Sequence, residues 1–200
     1  CRFEEMIRLF DILFSVLGLV ILSPLFLILY LAICIESRGG GFYRQVRVGK
    51  DGKDFTLYKF RSMRVGADAK GLITVGGRDP RITKVGYFIR RYKLDELPQL
   101  INVFIGDMSF VGPRPEVRKY VDLYTPEQAK VLTVRPGITD YASIEYVDEN
   151  VLLAVSSNPE KTYIEDIMPD KIRFNMKFIN NRSVSEYFKI IGLTFFKIIR

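Results

Sequence analysis

Two adjacent carboxylates, Asp95-Glu96, follow a basic run, Arg90-Arg91-Tyr92-Lys93, and precede Leu97-Pro98-Gln99. Proline is tolerated in the first turn of a helix, so the pair reads as a helix start, where the backbone dipole keeps carboxylates ionised and favours bound anions. Acidic residues also cap ordinary helices, so position alone leaves capping and chemistry both open. Further basic residues lie on either side. Lys59 and Arg61 alternate along a strand-like segment, while Pro113-Arg114-Pro115 and Arg135-Pro136-Gly137 hold single arginines in stiff, proline-bounded backbone. Such cations suit phosphate, and a carboxylate among them can attack phosphorus or hold a Mg2+ ion that neutralises phosphate oxygens. The chain has no histidine. That excludes Ser/His/Asp and Cys/His triads, histidine bases and histidine-ligated metals.

The charge is placed unevenly. Residues 36–118 carry 17 Lys+Arg against nine Asp+Glu, within a 200-residue chain of net charge +7. A positive field of this kind suits nucleic acid, anionic lipid or phosphorylated small molecules, and charge does not choose among them. Cys1 and Cys34 offer neither a disulfide framework nor a zinc site, which fits a reducing, cytosol-facing compartment.

The N-terminal segment chooses among the partners. Ile12 to Ile35 is 24 residues without a charge, long enough for a membrane helix of about 36 Å at about 1.5 Å per residue. Ser23-Pro24 lies at its midpoint, where proline removes a backbone donor and bends the helix into two arms too short to cross a bilayer alone. Arginines flank both ends, and the positive-inside bias holds both on the cytoplasmic side. A re-entrant helix-break-helix over residues 1–36 is therefore expected, against the alternative of a spanning helix with a tolerated kink.

Residues 37–200 read as one compact domain, so the expected class is a helix-dominated α+β (broadly α/β) fold. Phe42 to Val48 and Phe55 to Phe60, joined by a turn-rich Gly49–Asp54 connection, predict a β-hairpin. Helices are predicted at Asp95–Phe104, at Pro126–Leu132 behind a Thr125 cap, at Val147–Val155 and at Pro169–Ile179. Ser183-Val184-Ser185-Glu186 is a capping box, followed by Tyr187, Phe188, Ile191, Phe195 and Ile198 at helical spacing with Lys189, Lys197 and Arg200 between them. That helix suits either a membrane interface or the domain's own core.

Several segments in fixed order carry a resemblance: Ser23-Pro24, Tyr43-Arg44-Gln45-Val46-Arg47-Val48-Gly49, Lys59-Phe60-Arg61-Ser62-Met63, Leu94-Asp95-Glu96-Leu97-Pro98-Gln99, Gly106-Asp107-Met108-Ser109, Gly112-Pro113-Arg114-Pro115-Glu116 and Arg135-Pro136-Gly137-Ile138-Thr139. Together they resemble the bacterial sugar transferase family of monotopic phosphoglycosyl transferases, and the compact length resembles its minimal members. The resemblance implies transfer of a sugar 1-phosphate from a UDP-sugar to polyprenyl (undecaprenyl) phosphate, with release of UMP, at the cytoplasmic face of the bacterial inner membrane. It implies Asp95 as a nucleophile forming a phosphosugar-aspartyl intermediate, and Glu96 as its partner in positioning Mg2+ or in handling protons. Lys59, Arg61, Arg90, Arg114 and Arg135 are implied as phosphate or substrate ligands. Membrane lipid is an expected partner and nucleic acid is not. Two alternatives stay open: direct attack of lipid phosphate in a ternary complex with Asp95 as metal ligand only, and a non-enzymatic basic membrane-tethered module.

Overall fold

The computed structural model describes residues 2–67, 79–146 and 149–199. Cys1, Val147 and Arg200, which enter the expectations above, lie outside the described residues.

The apolar segment forms two helices, α1 (Arg2–Ile21) and α2 (Ser23–Glu36), bent by 61°. At the junction Leu22 has φ −87° and ψ 0°, Pro24 occupies the first turn of α2, and the Ser23 hydroxyl donates to the Val20 carbonyl at 2.8 Å. The hydroxyl thus satisfies a carbonyl next to the break, a usual way of stabilising a bend near proline. No single helix among the described residues is long and apolar enough to cross a membrane, although the bent pair together meets that test by length and composition. Leu13, Leu17, Val20 and Ile21 on α1 and Leu27, Ile28, Leu31 and Ile35 on α2 are exposed.

Both arms are fixed to the rest of the chain. On α1 the Arg8 guanidinium donates to the carbonyls of Val103 and Phe104 at 2.5 and 2.6 Å. Buried Asp11 accepts from the Ser109 hydroxyl, the Phe110 N–H and the Tyr187 hydroxyl at 3.1, 3.1 and 2.8 Å. At the far end of α2 the Glu36 carboxylate accepts the N–H groups of Lys84 and Val85 at 2.6 and 2.8 Å. Leu29 and Ile33 pack with Phe60 and Ile89 in one apolar cluster, where each fully buried side chain contributes about 1.5–3 kcal/mol.

Strands β1 (Phe42–Val48) and β2 (Asp54–Phe60) form the expected antiparallel hairpin, with Phe42 opposite Phe60 and Val48 opposite Asp54. Its turn places Asp51 and Gly52 in the left-handed region, at φ +56° and +72°. Next come α3 (Lys84–Arg91), α4 (Gln99–Ile105), β3 (Ser109–Val111), α5 (Arg118–Val121) and β4 (Gly137–Thr139). Strands β3 and β4 pair in parallel, Ser109 opposite Gly137 and Val111 opposite Thr139. A Cβ on Gly137 would lie 2.1 Å from the Gly112 nitrogen, so this approach requires glycine. The remaining helices are α6 (Tyr141–Glu145), α7 (Glu149–Ala154), α8 (Pro159–Thr162), α9 (Met168–Asn180) and α10 (Val184–Ile199).

The expected Asp95–Phe104 helix is divided. Leu94–Glu96 is a single 3-10 turn entered through left-handed Lys93 (φ +56°), and the α-helix begins only at Gln99. Thr125 and Gln128 exchange the anticipated capping hydrogen bonds at 2.9 and 3.2 Å, yet Gln128–Thr133 is 3-10 rather than α. At Ser183 half of the capping box forms, Glu186 N–H to Ser183 Oγ at 3.2 Å, while the Glu186 carboxylate instead takes the Tyr141 hydroxyl. Helix α10 buries Tyr187 and Ile190 and leaves Phe195 and Phe196 exposed.

Candidate active site

The 3-10 turn carrying Asp95 and Glu96 leads into α4, which one of its side chains ties to β2. Asn102 on α4, fully buried, donates from Nδ2 to the Thr56 carbonyl at 2.7 Å and accepts the Tyr58 N–H at 3.0 Å. An asparagine amide thereby continues the ladder of β2, and the next residue, Lys59, is set opposite Glu96. Lys59 Nζ donates to Glu96 Oε1 at 2.9 Å. Arg114 forks onto the same carboxylate, Nη1 to Oε2 at 3.2 Å and Nη2 to Oε1. Arg114 is anchored in turn, because its backbone N–H donates to Asp140 Oδ2 at 2.9 Å while Asp140 Oδ1 caps α6 at the Ser143 N–H, 2.5 Å away.

Asp95 is 8% exposed, and among the described residues its carboxylate accepts no hydrogen bond. Burial and the neighbouring Glu96 charge raise its pKa above the ordinary aspartate value, against the pull of Lys59, Arg90 and Arg114. Glu96 behaves oppositely. Burial acts to raise its pKa, but Arg114 and Lys59 outweigh burial and hold it well below the usual carboxylate range. Burial lowers the Lys59 pKa, with Glu96 opposing, and the Glu96 charge raises that of Arg114. Two adjacent carboxylates therefore differ in kind: Glu96 is a fixed anion bonded to two cations, and Asp95 is a carboxylate of raised pKa that accepts no hydrogen bond among the described residues.

This group lines a cleft of about 1050 Å3. Arg90 lines the same wall, with Nη1 3.5 Å from the Ser62 hydroxyl. Tyr146, Glu149 and Lys171 line it as well, Lys171 pairing with Glu149 at 2.9 Å. Among the described residues no three Asp, Glu, Cys or His side chains gather as a ready-made metal cage, so a cation here would depend on Asp95, Glu96 and oxygens brought by a ligand.

Of the residues singled out in the sequence, Lys59, Arg90, Asp95, Glu96 and Arg114 meet at the cleft, and two do not. Arg61 is buried under the end of α2, where Nη2 donates to the Ser37 carbonyl and hydroxyl at 2.7 and 2.9 Å. Arg135 donates Nε to the Gly106 carbonyl at 3.0 Å and lines a separate cavity of about 40 Å3. Asn102 and Asp140 were not singled out. Asp140 had a readable signal, an Asp just before a helix, which is a common N-cap; Asn102 had none, because its partners are 44 and 46 residues away.

A bent apolar helix pair is thus fixed to the body that carries this cleft, where a carboxylate bonded to two cations stands beside one that accepts no hydrogen bond among the described residues. The chain belongs to the bacterial sugar transferase family, whose sequence profile matches residues 3–200. It is 45% identical over 126 residues, 63% of this chain and 70% of the relative, to a Bacillus subtilis (strain 168) protein bearing the provisional name undecaprenyl-phosphate N-acetylgalactosaminyl 1-phosphate transferase. It is 38% identical over 190 residues, 94% of this chain and 39% of the relative, to the UDP-glucose:undecaprenyl-phosphate glucose-1-phosphate transferase of Escherichia coli (strain K12). It is 43% identical over 137 residues, 67% of this chain and 32% of the relative, to the UDP-N-acetylgalactosamine-undecaprenyl-phosphate N-acetylgalactosaminephosphotransferase of Aeromonas hydrophila. The chain thus spans about a third to two fifths of the length of the last two.

Proposed function

We propose that this chain transfers a sugar 1-phosphate from a UDP-sugar to undecaprenyl phosphate, releasing UMP and initiating glycoconjugate synthesis. The observation that carries this reading is the buried Asp95 carboxylate, which accepts no hydrogen bond among the described residues, beside the Lys59–Glu96–Arg114 cluster. An Asp95 oxygen attacks the phosphorus that bears the sugar, and the bond from that phosphorus to the oxygen it shares with the other phosphate breaks, so UMP leaves. A phosphate oxygen of the lipid then attacks the same phosphorus, and Asp95 departs as a carboxylate. Each step exchanges one P–O bond for another and requires no proton transfer, which agrees with a site lacking histidine and with Glu96 held as a permanent anion. Lys59, Arg90 and Arg114 offset the charge of the diphosphate and of the approaching lipid phosphate.

A divalent cation fits this donor set. Mg2+ is commonly bound by one or two carboxylates together with substrate phosphates; Asp95 would supply the open oxygens, with Glu96, whose oxygens already accept from Lys59 and Arg114, beside it, and the bound ion would supply charge neutralisation at the phosphate oxygens. The re-entrant placement, with the domain on the cytoplasmic face of the bacterial inner membrane, is supported by the fixing of both arms of the bent pair to one folded body through Arg8, Asp11 and Glu36.

The test is UMP release from UDP-sugar with Mg2+ and no lipid acceptor, followed by intact mass. A burst of UMP and a protein heavier by one phosphosugar are expected. UMP release only in the presence of lipid phosphate, with no adduct, would establish direct attack in a ternary complex instead.

A further inference from the structure

Helix α3 leaves two aromatic rings uncovered beside the reacting turn. Phe88 and Tyr92 are each 54% exposed, with ring centroids 5.0 Å apart, and the Arg91 guanidinium carbon lies 5.8 Å from the centroid of the Tyr92 ring. The opposite side of α3 is fixed: Ile89 is fully buried against Leu29 and Ile33 of α2, and Glu36 at the end of α2 holds the first N–H groups of α3. The ring pair thus lies on a helix that α2 holds in place, and aromatic rings are favoured at the level where lipid gives way to water.

The same rings line the cleft together with Arg90, Arg91 and Asp95. Tyr92 and Asp95 are three residues apart, so their backbones are separated by at most about 11 Å. A chain lying across Phe88 and Tyr92 would thus bring a terminal phosphate past Arg91 and Arg90 to Asp95. We propose that this face of α3 is the path by which the prenyl chain of the lipid phosphate enters the site, the isoprene units next to the phosphate resting on Phe88 and Tyr92. The proposal deepens the transferase reading and rests on it. Its grounds are the lining of one cleft by Phe88, Tyr92, Arg90, Arg91 and Asp95, and the match of aromatic rings and arginines to an apolar chain ending in an anion.

Phe88→Ser and Tyr92→Ser alter exposed positions and should fold. In vesicles containing polyprenyl phosphate, each is expected to raise the KM for the lipid acceptor roughly tenfold, equivalent to about 1.4 kcal/mol. That rise should exceed any change in the KM for UDP-sugar by a similar factor, with the fraction of protein sedimenting with vesicles maintained. An unmoved acceptor KM overturns the path, as does a donor KM that rises in step, which would make the rings a stacking site for the nucleobase. A loss of vesicle association that accounts for the KM change overturns it too, in favour of a membrane anchor. A photoactivatable polyprenyl phosphate with its reactive group near the phosphate tests the path without turnover: labelling of residues 84–92 supports it, and labelling confined elsewhere refutes it. Failure of the wild-type protein to release UMP would refute the transferase reading separately.

Discussion

Replacing Glu96 with glutamine removes one negative charge from a buried set of two carboxylates, Lys59 and Arg114, while keeping the side chain's size. The amide offers one oxygen where the carboxylate offered two, so the fork from Arg114 and the bond from Lys59 cannot both persist. Breaking a buried ion pair from one side costs about 3–5 kcal/mol. The side chains of Lys59 and Glu96 are 17% exposed and that of Arg114 is 34% exposed, so water screens part of the loss and about 3 kcal/mol is the fitting figure. For a domain of this size that lowers the melting temperature by about 6–12 °C. Glu96 has a folded pKa below its unfolded one, so its contribution is present above the unfolded value and vanishes as pH falls through the folded value. The gap between wild type and Glu96→Gln should therefore close in acid. Activity reports the change independently. Glu96 raises the pKa of Asp95 and of Lys59, so removing its charge lowers both. If donor cleavage needs ionised Asp95 and protonated Lys59, both limbs of the pH profile for UMP release should move to lower pH as the maximum rate falls. Single-turnover UMP release across pH, alongside thermal unfolding, measures both. Loss of one limb with the other unmoved would show that Glu96 itself carries a proton in the reaction, and the assignment of a fixed anion would be wrong.

Asp95→Asn should form no phosphosugar adduct by intact mass and should melt higher than wild type by a few degrees, since an Asp whose pKa is raised on folding destabilises the fold at neutral pH; an adduct on this variant would sink the nucleophile assignment. Arg114→Lys keeps charge but loses the fork onto Glu96, and steady-state UMP release should fall by about 10–100-fold, the effect of about 1.5–3 kcal/mol for hydrogen bonds to a charged group; near-normal turnover in the folded variant would remove Arg114 from the machinery. Single cysteines near Arg8 and near Gly40, in a background without Cys1 and Cys34, should both label from the cytoplasmic side only, and labelling from opposite faces would end the re-entrant reading.

Elements with local causes were legible in the sequence. The β-hairpin announced itself by aromatic and β-branched runs around a Gly-Lys-Asp-Gly turn, and the helix break by Ser23-Pro24. Helix α3 was not anticipated, because Lys84–Arg91 is short, carries a central glycine and reads chiefly as a basic cluster; its cap is Thr83 together with Glu36, which lies 48 residues from Lys84. The pairing of β3 with β4 was equally hidden, since three-residue strands have no periodicity to detect. For the site, residue types pointed to Asp95, Glu96, Lys59, Arg90 and Arg114. The same reasoning grouped Arg61 with Lys59, two residues apart on one presumed strand face. Strand β2 ends at Phe60, and although the Arg61 N–H still reaches the Gly41 carbonyl at 2.9 Å, its guanidinium is taken by Ser37 at the end of α2 while Lys59 stays at the cleft. Alternation along a strand holds only as far as the strand does.

The division between the two carboxylates follows from how the surrounding elements are held. Asp95 sits midway in a segment made of α3, the 3-10 turn and α4. Glu36, on the second arm of the bent pair, holds the start of α3, and Arg8, on the first arm, holds the last carbonyls of α4. Each end of the segment is thus fixed by a different arm, and the 61° bend between the arms sets how far apart those ends lie. Asn102, just before the carbonyls that Arg8 holds, ties that end of the segment to β2, whose Lys59 reaches Glu96, while Asp95 accepts no hydrogen bond among the described residues. The position of the Asp95 carboxylate therefore depends on the geometry of the apolar helices as directly as on its neighbours in sequence.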